Sequence, residues 1–88
     1  MTRRLLKYEL PVTTGTLDLP VGSIIRHAGH QNEVAYIWVE VSSIFEGTET
    51  RTFTIYATGE QIHDARQVWR ATWQEQDGPY VWHLFETV

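Results

Sequence analysis

The strongest constraint on the fold is an alternation of apolar and polar residues with a period of two, which recurs along most of the chain. In residues 51–58, Phe53, Ile55 and Ala57 alternate with threonines and a tyrosine. This is the period of a β-strand, because successive side chains of a strand point to opposite faces. No segment of ten or more residues keeps the 3.6-residue period of an amphipathic helix. The alternation predicts an all-β fold, a small antiparallel β-sandwich or barrel of about six strands with no substantial helix.

Individual segments add detail to this prediction. Residues 34–41 are typical of a central strand, with the odd-numbered side chains in the core and Tyr36 and Trp38 on the other face. Thr14 and Gly15 are expected to form a turn between two short strands, and Asp77 followed by Gly78 predicts a hairpin. The alternation in residues 67–74 places two sets of side chains on opposite faces, Trp69, Ala71 and Trp73 on one and Val68, Arg70 and Thr72 on the other.

Length, cysteine content and charge restrict the class of protein. The 88 residues predict one β domain over residues 1–88. The absence of cysteine excludes disulfides and thiolate chemistry. The net charge is −4, and only Arg3, Arg4 and Lys7 cluster, so nonspecific nucleic-acid binding is not expected. No signal peptide is visible, and the longest apolar run is too short for a bilayer. We therefore expect a cytoplasmic protein without a membrane partner.

The histidines are the first candidates for metal binding, because no cysteine competes with them. His27 and His30 are three residues apart on a predicted strand, so their side chains should point to opposite faces. A shared metal ion would need a bulge or a tight bend near Gly29. The alternative is that both are surface histidines near a turn. We expect no metal and no cofactor.

Catalytic patterns are scarce. His63 precedes Asp64 in a predicted loop, where the pair is either half of an acid–base site or local turn chemistry. His83 shares its predicted face with Val81 and Phe85, which favours a hydrogen-bonded core histidine. The sequence contains no Gly-x-Ser-x-Gly motif and no Walker or dinucleotide-binding fingerprint. The chain is predicted not to be an enzyme.

Large aromatic side chains are the better functional signal, because the strands carry more of them than one small core can enclose. Tyrosine and tryptophan mark binding surfaces, and arginine beside an aromatic ring can hold a phosphate or stack on a base. The predicted ligand-binding residues are Tyr36, Trp38, Arg51, Tyr56, Arg70 and Trp82. As alternatives, the rings could be covered by a second protomer, and the arginines could form salt bridges with Glu49, Glu60 or Glu75. Phe45 lies in a predicted loop, either as a plug over the fold or as a partner contact.

Three sequence blocks, together with the turn Leu19–Pro20–Val21–Gly22, carry a resemblance to a known family. They are Lys-Tyr-Glu-Leu-Pro-Val at residues 7–12, Glu-Thr-Arg-Thr-Phe-Thr-Ile-Tyr-Ala-Thr-Gly at residues 49–59, and Gly-Pro-Tyr-Val-Trp-His-Leu-Phe-Glu at residues 78–86. With them the chain resembles a family of short uncharacterised proteins encoded mainly by phages of actinobacteria. The resemblance implies a phage-encoded protein made in the cytoplasm of the infected host, and it implies no activity.

These observations lead to three hypotheses. The first is a non-enzymatic phage protein that neutralises a host defence factor, either by sequestering a small nucleotide-like signal or by binding a host protein through its aromatic face. The second is a small virion or accessory structural protein. The third is a hydrolase built on His63 and Asp64 or on His83. A homodimer or higher homo-oligomer is expected, because exposed edge strands are often protected by pairing.

Overall fold

The computed structural model describes residues 2–44, 46–75 and 77–88. It contains seven strands: β1 (Arg3–Glu9), β2 (Thr14–Pro20), β3 (Ile24–Gln31), β4 (Val34–Ser42), β5 (Thr48–Ala57), β6 (Gln67–Gln74) and β7 (Val81–Thr87). The described residues form no helix, so the all-β prediction is confirmed, with seven strands where about six were expected. Nor do they include a helical segment with the length and hydropathy needed to cross a membrane.

The strands form two antiparallel sheets that face each other as a sandwich. The three-stranded sheet has the order β1-β4-β3, and the four-stranded sheet has the order β2-β5-β7-β6. Edge strands β3 and β6, which belong to different sheets, lie against each other. The hairpin predicted at Asp77 and Gly78 is confirmed, because this segment joins the antiparallel strands β6 and β7.

The core lies between the sheets and is built from the inward-facing side chains of both. Ile37 and Val39 of β4, Phe53 of β5 and Leu84 of β7 have no solvent exposure. Burial of apolar surface is the main stabilising contribution, so these alternate positions determine which face of each strand turns inward. The predicted orientation of β4 is confirmed, since its odd-numbered residues pack inward and the residues between them lie on the outer face.

The turn predicted at Thr14 and Gly15 was wrong. These residues are the first two of β2, and Gly15 pairs with Phe53 of β5. The chain instead crosses from the three-stranded sheet to the four-stranded sheet in residues 10–13. A Cβ atom at Gly15 would lie 2.7 Å from the Cβ of Pro11, so glycine is needed here for a close approach of the chain. A turn rule based on neighbouring residues does not include the pairing of Gly15 with the distant Phe53.

Two β-bulges shift the strand register, one at Arg26 in β3 and one at Arg70 in β6. A bulge places two residues opposite one residue of the partner strand, so it interrupts the alternation of faces. The prediction that Trp69 shares a face with Ala71 and Trp73 was therefore wrong. Trp69 lies on the outer face and is 56% exposed, whereas Trp73 is buried between the sheets at 7%.

The β3–β4 hairpin turns at Asn32 and Glu33, whose φ angles are +51° and +68°. Two successive residues with positive φ are typical of a type I′ turn, in which the second position favours glycine. Glu33 carries a Cβ atom in this left-handed region, which is sterically unfavourable.

We predict that Glu33→Gly stabilises the protein by about 1 kcal/mol relative to Glu33→Ala, because only the glycine variant removes the Cβ atom from the left-handed conformation. The alanine variant is the matched control, since both changes remove the same charge. Chemical denaturation of the two variants measures the difference. Equal stability would contradict the assignment of strain to this turn.

Candidate functional site

The six residues predicted to bind a ligand do not form one cluster. Tyr36 and Trp38 lie on the outer face of the three-stranded sheet, and Tyr56 lies on the outer face of the four-stranded sheet. The other three lie between the sheets, with Arg51 and Arg70 toward one end and Trp82 toward the opposite end. Phe45, the predicted partner contact, lies outside the described residues. The aromatic and guanidinium groups therefore belong to separate regions with different chemistry.

The outer face of the three-stranded sheet carries a surface that we call the cationic aromatic face, formed by Leu5, Lys7, Ile24, His27, Tyr36 and Trp38. Lys7 pairs with Trp38, and its Nζ atom lies 4.0 Å from the centroid of the Tyr36 ring and 5.7 Å from that of the Trp38 ring. Lys7 also donates a hydrogen bond to the side chain of Gln31. The rings of His27 and Trp38 have centroids 5.2 Å apart. The ammonium group is thus held over aromatic rings by cation–π attraction.

An ion-pair cluster lies beside the exposed apolar side chains of this face. Leu5 and Ile24 flank Glu40 in the strand register and are 64% and 47% exposed. The carboxylate of Glu40 accepts hydrogen bonds from Arg3 at 2.6 Å and from Arg26 at 3.1 Å. The hydrogen bond from Arg26 is the main cause that lowers the pKa of Glu40. Glu40 therefore stays ionised and holds both arginines along the edge of the apolar surface.

Charge is distributed unevenly between this sheet and the rest of the protein. The three strands of the three-stranded sheet carry four basic and two acidic side chains, namely Arg3, Arg4, Lys7 and Arg26 against Glu9 and Glu40. The remaining sequence carries three basic and nine acidic residues. The three-stranded sheet is therefore a positive region on an acidic protein.

The outer face of the four-stranded sheet also carries aromatic side chains. Tyr56 and Phe85 pack edge to face, with ring centroids 5.5 Å apart and ring planes at 88°. Trp69 lies on the same face and donates a hydrogen bond from its indole nitrogen to Thr72 Oγ1 at 2.8 Å. Within the described part of the chain, no lysine or arginine lies over these three rings. This face therefore lacks the cationic group that distinguishes the cationic aromatic face.

His83 lies on this outer face and is half-buried, so its predicted place in the core was wrong. The inward positions of β7 are those of Leu84 and its alternate neighbours. The predicted hydrogen bonding is present, because His83 Nε2 lies 2.7 Å from Thr58 Oγ1 and Nδ1 lies 2.9 Å from Thr72 Oγ1. Both ring nitrogens have partners, so His83 links β7 to its neighbours.

His27 and His30 point to opposite faces, as predicted. The bulge in β3 lies at Arg26 rather than at Gly29 and does not bring the two rings together. His30 faces the sandwich interior, where its Nδ1 accepts a hydrogen bond from Trp73 Nε1 at 2.8 Å. In residues 2–44, 46–75 and 77–88, no group of three or more metal-ligating side chains comes together.

His63 and Asp64 lie in the segment that joins β5 to β6. Asp64 accepts a hydrogen bond from the backbone N–H of Arg66 at 2.9 Å and another from its guanidinium group at 2.9 Å. The side-chain hydrogen bond from Arg66 is the main cause that lowers the pKa of Asp64. The local contacts of Asp64 are those of turn chemistry. His63 is exposed beside it.

Arg51 and Arg70 converge between the sheets on a single carboxylate, that of Glu86. Arg51 donates two hydrogen bonds to Glu86, at 2.6 and 2.7 Å, and a third to the carbonyl oxygen of Ser23 at 2.7 Å. Arg70 donates to Glu86 at 2.8 Å. The side chain of Glu86 is 7% exposed, and that of Arg51 is 14% exposed. The carboxylate bound is therefore that of Glu86 rather than one of the three considered from the sequence, Glu49, Glu60 or Glu75.

Two opposing effects act on the ionisation of Glu86. Burial alone would raise its pKa, but hydrogen bonds and charge attraction from Arg51 and Arg70 outweigh burial, so the pKa lies below its ordinary value of 4.5. Glu86 also raises the pKa of Arg51 through the same hydrogen bonds. Arg51, Arg70 and Glu86 form a charged cluster, and loss of any one of them would leave a charge without its partner.

Sequence reasoning missed Lys7 and Glu86. Lys7 becomes part of an aromatic surface only through the pairing of β1 with β4, which no local pattern indicates. Glu86 shares a face of β7 with Leu84, so alternation would have placed it inward only if the face of Leu84, rather than that of His83, had been assigned to the core.

We predict that Glu86→Gln lowers the free energy of unfolding by about 3 kcal/mol, because Arg51 would stay buried without a counter-charge. Asp64→Asn, which breaks the exposed pair with Arg66, should cost less than about 0.5 kcal/mol. Denaturant titration of both variants measures these values. Similar losses in the two variants would show that the buried cluster has no special role in stability.

We also predict acid destabilisation through Glu86. Its pKa is lower in the folded than in the unfolded protein, so below its ordinary value of 4.5 the unfolded chain binds more protons. The stability from Glu86 is fully present above that value and is lost as the pH falls through the lower folded pKa. Urea denaturation at a series of pH values should show this loss, and Glu86→Gln should flatten the pH dependence. An unchanged slope in Glu86→Gln would assign the acid sensitivity to other carboxylates.

Comparison with known proteins adds a family but no activity. The family whose sequence model matches is described as "Domain of unknown function (DUF7352)", and the match covers residues 1–88. No curated protein and no solved structure matches the chain. The match agrees with the expected membership of a family of uncharacterised proteins. Since it extends over the whole sequence, this chain belongs to the DUF7352 family.

Proposed function

We propose that this chain is a non-enzymatic binding protein that recognises another protein through the cationic aromatic face. The observation that carries the proposal is the position of Lys7 over Tyr36 and beside Trp38, on a face that also exposes Leu5 and Ile24. Tryptophan and tyrosine are enriched at the energetic centres of protein interfaces. The neighbouring apolar side chains supply surface that a partner can bury, and the ammonium group supplies orientation.

The charge of the face indicates an acidic partner. The outer face of the three-stranded sheet carries three basic and two acidic side chains, Arg3, Lys7 and Arg26 against Glu9 and Glu40, whereas the rest of the chain is strongly acidic. A partner with carboxylates around an apolar patch would complement the cationic aromatic face and be repelled elsewhere. Charge complementarity of this kind directs orientation and accelerates association.

Sequestration of a small nucleotide has less support from the geometry. It needs arginines close to exposed aromatic rings, but Arg51 and Arg70 both bind Glu86 between the sheets. Tyr36 and Trp38 lie on the outer side of the other sheet. The basic group nearest to these rings is Lys7, a single ammonium group.

A second copy of the chain fits the face less well than an acidic partner. Symmetric pairing would bring two faces with an excess of basic side chains together, which is unfavourable. The edge strands also carry features that discourage pairing with another copy. Strand β1 is rich in basic residues, and β3 and β6 contain the bulges at Arg26 and Arg70.

The sequence resemblance extends the proposal to a biological setting. If the chain is phage-encoded, the acidic partner is a protein of the infected host, bound in the host cytoplasm. The proposed consequence of binding is neutralisation of a host defence factor. Detection of the chain in purified particles at stoichiometric amounts would instead support a structural role in the virion.

We predict that Trp38→Ala weakens partner binding at least tenfold, because it removes the largest ring of the cationic aromatic face. Lys7→Glu should weaken binding similarly by reversing the charge above Tyr36. The measurement is quantitative affinity capture from host lysate with the immobilised protein. The retained protein is then purified for titration.

Trp69→Ala is the matched control, since Trp69 is an exposed tryptophan on the outer face of the opposite sheet. It should retain the partner as the unchanged protein does. Equal retention by Trp38→Ala would overturn the proposal. Loss of a dimer in Trp38→Ala would identify a second copy as the occupant, and a nucleotide-sized mass increment in native mass spectrometry would favour sequestration.

A further inference from the structure

A cavity of about 210 Å³ opens at one end of the sandwich, away from the cationic aromatic face. It lies where the segment between β1 and β2 meets the β3–β4 hairpin. Its lining is mainly apolar and includes Leu10, Pro11, Ala35, Ile55, Trp82 and His30. An apolar cavity of about 150 Å³ is large enough to hold benzene. This cavity is therefore large enough for one ring with a short substituent.

Trp82 lines this cavity and has an unused hydrogen-bond donor. Its indole Nε1 atom is buried and has no acceptor among the described residues. By contrast, the indole nitrogen of Trp69 donates to Thr72, and that of Trp73 donates to His30. A buried donor without an acceptor is unfavourable, so it indicates a place where an acceptor from outside the chain can bind.

His30 also lines this cavity. Its Nδ1 atom accepts the hydrogen bond from Trp73 at 2.8 Å, which leaves the ring proton of the neutral histidine on Nε2. The rings of His30 and Trp82 have centroids 6.2 Å apart. The lining therefore includes two neighbouring rings, each of which carries an N–H group.

The opening of the cavity is acidic. Glu9 and Glu33 are among its lining residues, and His30 and Glu33 also line an adjoining open cleft that contains Glu75 and Asp77. This arrangement attracts a cation and repels phosphate or carboxylate groups. The Trp82 ring can also interact with a cation through its face.

We propose that the end cavity binds a small organic ammonium compound of about ten non-hydrogen atoms that carries a hydroxyl or carbonyl oxygen. The apolar part fills the space between Ile55 and Trp82, and its entry uncovers the buried Trp82 Nε1, which then donates a hydrogen bond to the ligand oxygen. The ammonium group lies at the opening, near Glu9 and Glu33. This site is independent of the cationic aromatic face, so either proposal can fail alone.

The test is proton–nitrogen correlation NMR of the four tryptophan indole groups during titration with tyramine, which has a ring, a hydroxyl oxygen and an ammonium group. We expect a saturable shift of the Trp82 indole signal, with a dissociation constant of about 1 mM or lower. The signals of Trp38 and Trp69 on the outer faces should not move. Phenylalanine substitutions at the tryptophans assign the four signals.

Two matched compounds separate the contributions. Phenethylamine lacks the oxygen, and 4-ethylphenol lacks the ammonium group, so each should bind at least fivefold more weakly than tyramine. Glu33→Gln should weaken tyramine binding but leave 4-ethylphenol unaffected. Ala35→Leu, which fills part of the cavity, should abolish the shift, and retained near-ultraviolet circular dichroism would show that this variant is folded.

The proposal is overturned if no probe gives a saturable shift of the Trp82 signal up to its solubility limit. It is also overturned if tyramine shifts Trp38 or Trp69 as strongly, because binding would then be nonspecific. Equal affinity for tyramine and 4-ethylphenol would remove the role of the acidic opening, and equal affinity for tyramine and phenethylamine would remove that of Trp82 Nε1.

Discussion

Packing of two β-sheets through one shared layer of side chains is the interaction on which the rest of this structure depends. A strand between solvent and core can bury only one of its faces. In a chain without cysteine, the inward layer built around Ile37, Phe53 and Leu84 must hold the sheets together. Aromatic residues at the alternate positions are left on the outer faces. The surface rings of this protein are thus a consequence of how its core is formed.

The bulge at Arg70 changes this arrangement at one end of the sandwich. By interrupting the alternation in β6, it turns Arg70 inward to Glu86, which also binds Arg51. A buried carboxylate with two guanidinium partners is costly if any partner is lost, so the cluster holds β5, β6 and β7 together on the inner face of the four-stranded sheet. The same bulge leaves Trp69 on the outside. One local irregularity therefore directs a basic side chain to the buried Glu86 and leaves an aromatic side chain on the surface.

The two regions proposed for binding differ in charge and shape. The cationic aromatic face is open and carries Lys7 over Tyr36, which suits the acidic surface of another protein. The end cavity is partly open, has an acidic opening and is lined by Trp82, whose indole donor is unpaired within the described structure. A ligand suited to one region is disfavoured at the other by its charge. The uneven distribution of basic residues along the sequence underlies this difference.

The sequence by itself determined the all-β class, most strand positions and the inward face of β4, because these depend on a period of two that local residues display. It also determined that His27 and His30 point apart. Only the tertiary structure decided which side chains meet. The partner of Lys7 depends on strand pairing, the face of Trp69 depends on a bulge, and the place of Gly15 depends on pairing with Phe53. These contacts join residues distant in the chain, and their free energy comes from packing rather than from local preference.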